Sequence, residues 1–189
     1  MISVTINSGI KKFNELNRYD SKPEDLSKYK KVEIGDIAYN SMRMWQGASG
    51  YSPYSGILSP AYTVITPKSG VSSRFFSYVL KRPEMIHQFE INSQGLTKDT
   101  WNLKFPAFAP IIANAPSDYN EQVSISKLLM NVDELITLHQ REQDSVSMCF
   151  FSKDPKEISL LDPHLYSLIL ELYANTFFLL YSYLNVLTF

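Results

Sequence analysis

Cysteine is almost missing from this chain: Cys149 stands alone among 189 residues. A lone cysteine excludes an internal disulfide and fits a reducing compartment. Histidine is nearly as sparse. His87, His139 and His164 are scattered, without the spacing that metal ligation needs. No Gly-x-Gly-x-x-Gly run and no Gly-x-x-x-x-Gly-Lys-Ser/Thr loop is present, so the common phosphate cradles are excluded. The Asn/Asp-Pro-Pro-Tyr/Phe motif expected of an adenine amino-methyltransferase is also missing. Asn114-Ala115-Pro116 and Ser59-Pro60-Ala61-Tyr62 are only loosely similar to it. Nothing around Cys149 marks a nucleophile. The expectation is a protein that is not itself an enzyme and holds no metal or cofactor. The opening residues lack a charged-then-apolar leader, and a cytoplasmic location is expected.

What is present is enough apolar residue to bury a core, with 44% hydrophobic and 13% aromatic content. The length suits one domain plus an appendage, or a domain and a fragment of another. A formal net charge of −1 conceals an asymmetry: residues 1–112 hold 14 lysines and arginines against 9 acidic residues. An excess of that size is compatible with a few phosphate contacts and equally with an ordinary solvated surface.

Residues 1–70 read as strands broken by turns. Ile2–Ile6, Lys31–Tyr39 and Ala61–Thr66 carry β-branched and aromatic residues, with a turn at Gly35-Asp36 and a stop at Pro67 and Gly70. Residues 71–91 read as two short helices. Ser72 or Ser73 caps Arg74–Lys81, and Pro83 suits the first turn before Glu84–Glu90. A turn at Gly95, an apolar segment Trp101–Phe108 and a strand around Pro110–Ala113 follow. Asp118 and Glu121 form a capping box that starts a long helix. Ile125, Leu128, Leu129, Val132, Leu135, Ile136 and His139 recur along it at three- and four-residue steps. Such a stripe packs either on its own domain or against a second, similar helix. Past Glu142 the character changes: Asp144–Asp162 has no period, and Leu165–Leu187 is interrupted only by Glu171. The tail's length makes it a membrane-span candidate, though no basic cluster flanks it and Asn175 and Asn185 dilute it.

Between the second and third strands lies a polar, aromatic-studded connection, Ser41 to Pro60. Arg43 suits guanine O6 and N7, and Gln46 suits adenine N6 and N7. Ser41, Ser49, Tyr51 and Tyr54 offer hydroxyls to phosphates or base edges. Gly47 and Gly50 allow close backbone approach, and Trp45 is expected to anchor the loop in the core. Lys68, Arg74 and Lys98 are the further candidates for phosphate contact. By composition alone the loop would equally suit a sugar or a peptide.

Longer runs narrow the choice. Val32-Glu33-Ile34-Gly35-Asp36-Ile37-Ala38-Tyr39-Asn40-Ser41-Met42-Arg43-Met44-Trp45-Gln46-Gly47-Ala48-Ser49-Gly50, followed by Gly56-Ile57-Leu58-Ser59-Pro60-Ala61-Tyr62-Thr63-Val64, closely resembles the specificity subunits of type I restriction-modification systems. Ser93-Gln94-Gly95-Leu96 with Trp101-Asn102-Leu103-Lys104-Phe105 is similar to them too. So is Pro116 with Glu121-Gln122, Ile125, Leu128, Asp133, Leu135-Ile136 and Leu138-His139-Gln140-Arg141. The resemblance covers roughly residues 1–142.

It implies an α/β (α+β) target-recognition domain over 1–117, a mixed twisted sheet with short helices, followed by a long amphipathic spacer helix over 118–143. In that family each recognition domain reads half of a split site in double-stranded DNA, and the spacer helices pair antiparallel. Ile125 to His139 would then be the pairing face, open to a second half-specificity subunit. Modification subunits dock on the helices and hold S-adenosylmethionine; restriction subunits bring ATP and Mg. Relative to the family, the opening strands are expected to be missing. Residues 144–189 are expected to be a divergent tail from a shifted frame or a fusion. An inactive remnant of such a subunit and a membrane-anchored interaction protein are the alternatives.

Overall fold

Ile37, Ala38 and Tyr39 are consecutive with no polar residue between them, which suits a strand covered on both faces. They lie in β4 (Ile37–Asn40), and all three are buried. Successive side chains of a strand point to opposite sides. Ile37 and Tyr39 therefore enter one core and Ala38 enters another. The computed structural model describes residues 1–16 and 25–151, with side chains as far as Ser145.

The second core is aliphatic. It gathers Ile2, Val4, Ile10, Val32 and Leu58 around Ala38. Its walls are the hairpin of β1 (Ile2–Thr5) with β2 (Gly9–Lys12), and β3 (Lys30–Val32) paired with β6 (Gly56–Leu58). β4 is the middle strand of a third sheet, between β5 (Ser49–Tyr51) and β7 (Tyr62–Ile65). All these pairs are antiparallel, with Ile37 opposite both Tyr51 and Ile65. At Gly50 a Cβ would lie 3.0 Å from Gly9 Cα and 3.2 Å from the Ile10 nitrogen, so β2 can approach β5 only across a glycine.

The first core is aromatic. Tyr39, Met44, Phe89 and Leu103 are fully enclosed, and Phe75, Val79, Leu80 and Met85 close around them. Phe108 stacks on Tyr39 at 5.1 Å and on Phe89 at 5.8 Å between ring centroids. The helices supply most of this core. α1 (Ser73–Val79) is capped by Ser72, whose hydroxyl accepts from the Phe75 N–H at 3.3 Å. α2 (Pro83–Asn92) has its proline in the first turn, where the missing N–H has no helical partner to lose. α3 (Phe105–Phe108) is a single turn.

α4 runs from Tyr119 to Phe151, past the limit of residue 143 expected from the stripe. The helical backbone continues through residues 144–151, where the apolar period has stopped. Asp118 caps its start by accepting from the Asn120 N–H at 2.9 Å. Gln122 ties it down: its Oε1 accepts from the Ser72 N–H at 2.9 Å and its Nε2 donates to the Pro116 carbonyl at 2.8 Å. Ile125 is partly buried against the aromatic core. The chain divides into two compact units, Met1–Lys127 and Leu128–Phe189, so the first turns of α4 belong with the globule. Along the second unit Leu129, Val132 and Ile136 are half-buried, while Leu128 and Leu135 are 64% and 65% exposed.

The α+β class, with short helices and a long helix from Tyr119, is what the protein has. The turn expected at Gly35-Asp36 divides Lys31–Tyr39 into β3 and β4, with Gly35 at φ 99° and Asp36 Oδ2 accepting from the Glu33 N–H at 2.8 Å. Other expected boundaries moved. The expected strand at Pro110–Ala113 is irregular; Pro110 has no N–H, and the Ile111 N–H turns back to the Phe108 carbonyl at 3.1 Å. The Ser41–Pro60 connection contains β5, β6 and a 3-10 turn at Met44–Gln46. Leu165–Leu187 lies outside the described residues, as does the tail from residue 152. No described helix is long and apolar enough to cross a membrane.

Candidate functional site

The turn after β4 is held by its own backbone. The Arg43 N–H donates to the Asn40 carbonyl at 3.0 Å, and the Arg43 carbonyl accepts from Gln46 N at 3.0 Å and Ala48 N at 3.1 Å. Gly47, at φ 80°, ends the 3-10 turn in a conformation that a side chain would strain. Met44 is the plug that fixes this turn, fully enclosed in the aromatic core against α2. Trp45 was expected to be that anchor, and the structure corrects this. Adjacent positions of a tight turn face different directions, so burying Met44 leaves Trp45 at the surface, half-buried. Its indole N–H donates to the Met42 carbonyl at 3.1 Å.

A second segment meets the turn. The Leu103 N–H donates to the Ser41 carbonyl at 2.8 Å. Gln94 and Asn102 pair across the neck of a loop in which Thr97 and Thr100 cap one another. Gly95 permits the closure, since a Cβ there would stand 2.7 Å from the Thr100 carbonyl carbon. The loop brings Trp101 edge-on to Trp45, with ring centroids 5.5 Å apart and planes at 76°. The Lys98 ammonium lies 5.6 Å from the Trp45 centroid and 5.3 Å from that of Trp101, an attractive placement for a cation over a π face. Glu90, at the end of α2, pairs with Lys98 at 3.1 Å. On the outer side of the turn, exposed Arg43 donates through Nη1 to Gln46 Oε1 at 3.3 Å.

These groups make one ledge: Arg43, Gln46 and Lys98 as polar groups, Trp45 and Trp101 as its floor. The sequence singled out Arg43, Gln46 and Lys98 as separate candidates, and the fold brings them onto two tied segments. Trp101 and Glu90 were not singled out. A signal for Trp101 existed, since the chain has only two tryptophans and both are here. Glu90 had none, because its pairing with Lys98 depends on how the loop returns to α2.

The other candidates fall elsewhere. Ser41 and Ser49 are buried, which corrects the expectation that their hydroxyls are offered outward. The Ser41 hydroxyl is bonded to that of Thr63 at 2.9 Å, across the pair of strands. The Ser49 hydroxyl is enclosed without a partner, as is that of its register neighbour Tyr39. Burial pushes the Tyr39 phenol up to about 12, with the nearby Thr63 hydroxyl acting in the other direction. Tyr51 lies beneath the Arg74 guanidinium, 3.9 Å from carbon to ring centroid, joining β5 to α1. Tyr54 lies under Lys12 at 4.5 Å, and its phenol is raised chiefly by a hydrogen bond to Glu15. Lys68 is exposed beyond β7.

Chemically the ledge offers guanidinium, ammonium and amide N–H donors over an aromatic floor, which suits a ligand rich in acceptors. Among the described residues, no group of three or more His, Cys, Asp or Glu is placed to hold a metal ion. Scanned against models of known protein families and against curated proteins, the chain matches none.

Proposed function

We propose that the chain is a DNA-reading module of the type I specificity-subunit kind. It contacts one half of a bipartite double-stranded site and docks the modification subunit, which carries S-adenosylmethionine and methylates adenine. Restriction subunits, with ATP and Mg, join the same complex. The observation that carries this reading is the ledge itself. A turn with an exposed Arg43–Gln46 pair is pinned by a buried methionine and braced by a second segment bearing Lys98. Direct readout of a base edge needs planar donors in fixed orientation. Affinity needs cations within reach of phosphates, and the charge excess of residues 1–112 has the right sign.

Coexpression with the cognate modification subunit, followed by methylation-sensitive sequencing of host DNA, tests the proposal. A new N6-methyladenine motif with two spaced halves is the expected result. A soluble, assembled complex that writes no new motif would sink it, and would favour a remnant that keeps the sequence of the family without its activity.

A further inference from the structure

Gln46 suits an adenine edge only if its amide oxygen and nitrogen both face the base. In the structure its oxygen faces Arg43 instead, accepting from Nη1 at 3.3 Å. The assignment of oxygen rather than nitrogen follows from chemistry: a guanidinium has only donors, so the atom opposite it must be an acceptor. The amide is thereby turned along the ledge.

The geometry points to Gln46 as a positioning residue for Arg43, so that this turn reads a guanine and does not read an adenine beside it. The inference rests on the DNA reading proposed above. Three further observations support it. The carbonyl of Arg43 accepts from Gln46 N and Ala48 N, so the backbone from which the guanidinium projects is fixed. The Trp45 indole N–H is already committed to the Met42 carbonyl and adds no competing donor. Glu90, beside this ledge, is engaged by Lys98 at 3.1 Å. With one guanidinium N–H used by Gln46, the others remain for a partner with two adjacent acceptors. In the major groove, guanine O6 and N7 are that pair. Adenine offers one acceptor and one donor there, and its donor would meet donors.

The test is selection of bound duplexes by the full chain from a DNA pool with randomised cores, followed by sequencing. Wild type is expected to enrich a guanine at one position by about 5- to 150-fold, the range for one bidentate contact. Arg43→Ala abolishes that preference. Gln46→Ala lowers it by about 2- to 12-fold, the worth of one lost hydrogen bond, at the same position. Gln46→Glu keeps an acceptor toward Arg43 and so restores the guanine preference, even though its charge lowers affinity on all sequences. Were Gln46 a base reader, Gln46→Ala would relax an adenine at a neighbouring position and Gln46→Glu would shift that position toward cytosine. Either result overturns the inference while leaving the DNA reading intact, as would an enriched motif with no Arg43-dependent guanine. A wild-type chain that enriches no motif and retains no duplex takes down both. Thermal unfolding of the three variants separates positioning from misfolding, because a fold defect would weaken every position of the motif alike.

Discussion

β4 and the stripe along the distal part of α4 both carry apolar side chains, yet they meet different fates. Ile37, Ala38 and Tyr39 are buried on both faces of their strand, whereas Leu128 and Leu135 in the helix are about two-thirds exposed. Within the helix the half-buried Leu129, Val132 and Ile136 lie close to one line. At 3.6 residues per turn, Leu128 and Leu135 sit roughly 60–80° round from the Ile125 direction, at the edge of the stripe. A hydrophobic pattern identifies which residues share a face, while coverage depends on what other parts of the chain supply.

The sharpest way to break this comparison is to remove volume from the covered region. Phe89→Ala is expected to cost about 3–5 kcal/mol, because it opens a cavity between Tyr39, Met44 and Leu103. Leu128→Ser is expected to lie within about 0.5 kcal/mol of wild type. Urea unfolding of the two variants checks the contrast, and equal losses would mean that the helix face is as well covered as the strand.

Close backbone packing should fail next. Gly50→Ala forces β5 away from β2 and is expected to cost about 1–3 kcal/mol, read by the same unfolding curves. Gln122→Ala sharpens the comparison inside α4. It leaves the buried Ser72 N–H without its acceptor, at about 1–3 kcal/mol, so a polar residue should matter more to this helix than exposed Leu135. Tyr39→Phe reverses the usual direction. The phenol hydroxyl is enclosed near the Thr63 hydroxyl without a well-formed hydrogen bond, so its removal should leave stability unchanged or higher. A loss of more than about 1 kcal/mol would reveal a hydrogen bond to that hydroxyl.

The smallest expected effect is a pH dependence. Lys31 and the Ser55 hydroxyl hold the Glu33 carboxyl below its ordinary value. A depressed carboxylate contributes stability above its unfolded pKa and loses it as pH falls through the folded one. Glu33→Gln should therefore narrow the stability gap between neutral and acid pH slightly, by an amount that added salt diminishes. A gap of unchanged width at low salt would show that this surface pair contributes nothing.

The candidate site shows how far each kind of signal reaches. Arg43, Gln46 and Lys98 could be picked by chemical type, because few side chains carry planar or charged donors. Trp45 could not be assigned correctly, since the choice between it and Met44 as the buried member of the turn depends on the cavity that Phe89 and Leu103 leave. Ser41 and Ser49 depart from their outward-facing expectation for a similar reason. Their sequence neighbours made the segment read as an open loop, whereas strand pairing encloses both hydroxyls.

The sequence by itself determined the local features: a serine cap at Ser72 or Ser73, which the structure places on Ser72, the proline-led α2 and the turn at Gly35. Each depends on a few adjacent residues whose steric and hydrogen-bonding preferences act within one or two turns of chain. Only the tertiary structure decided that Lys98 meets Glu90 and both tryptophans, and that Gln122 reaches back fifty residues to Ser72. Those contacts arise from how separate segments close around a shared core, and side-chain direction there is set by the space that distant residues leave.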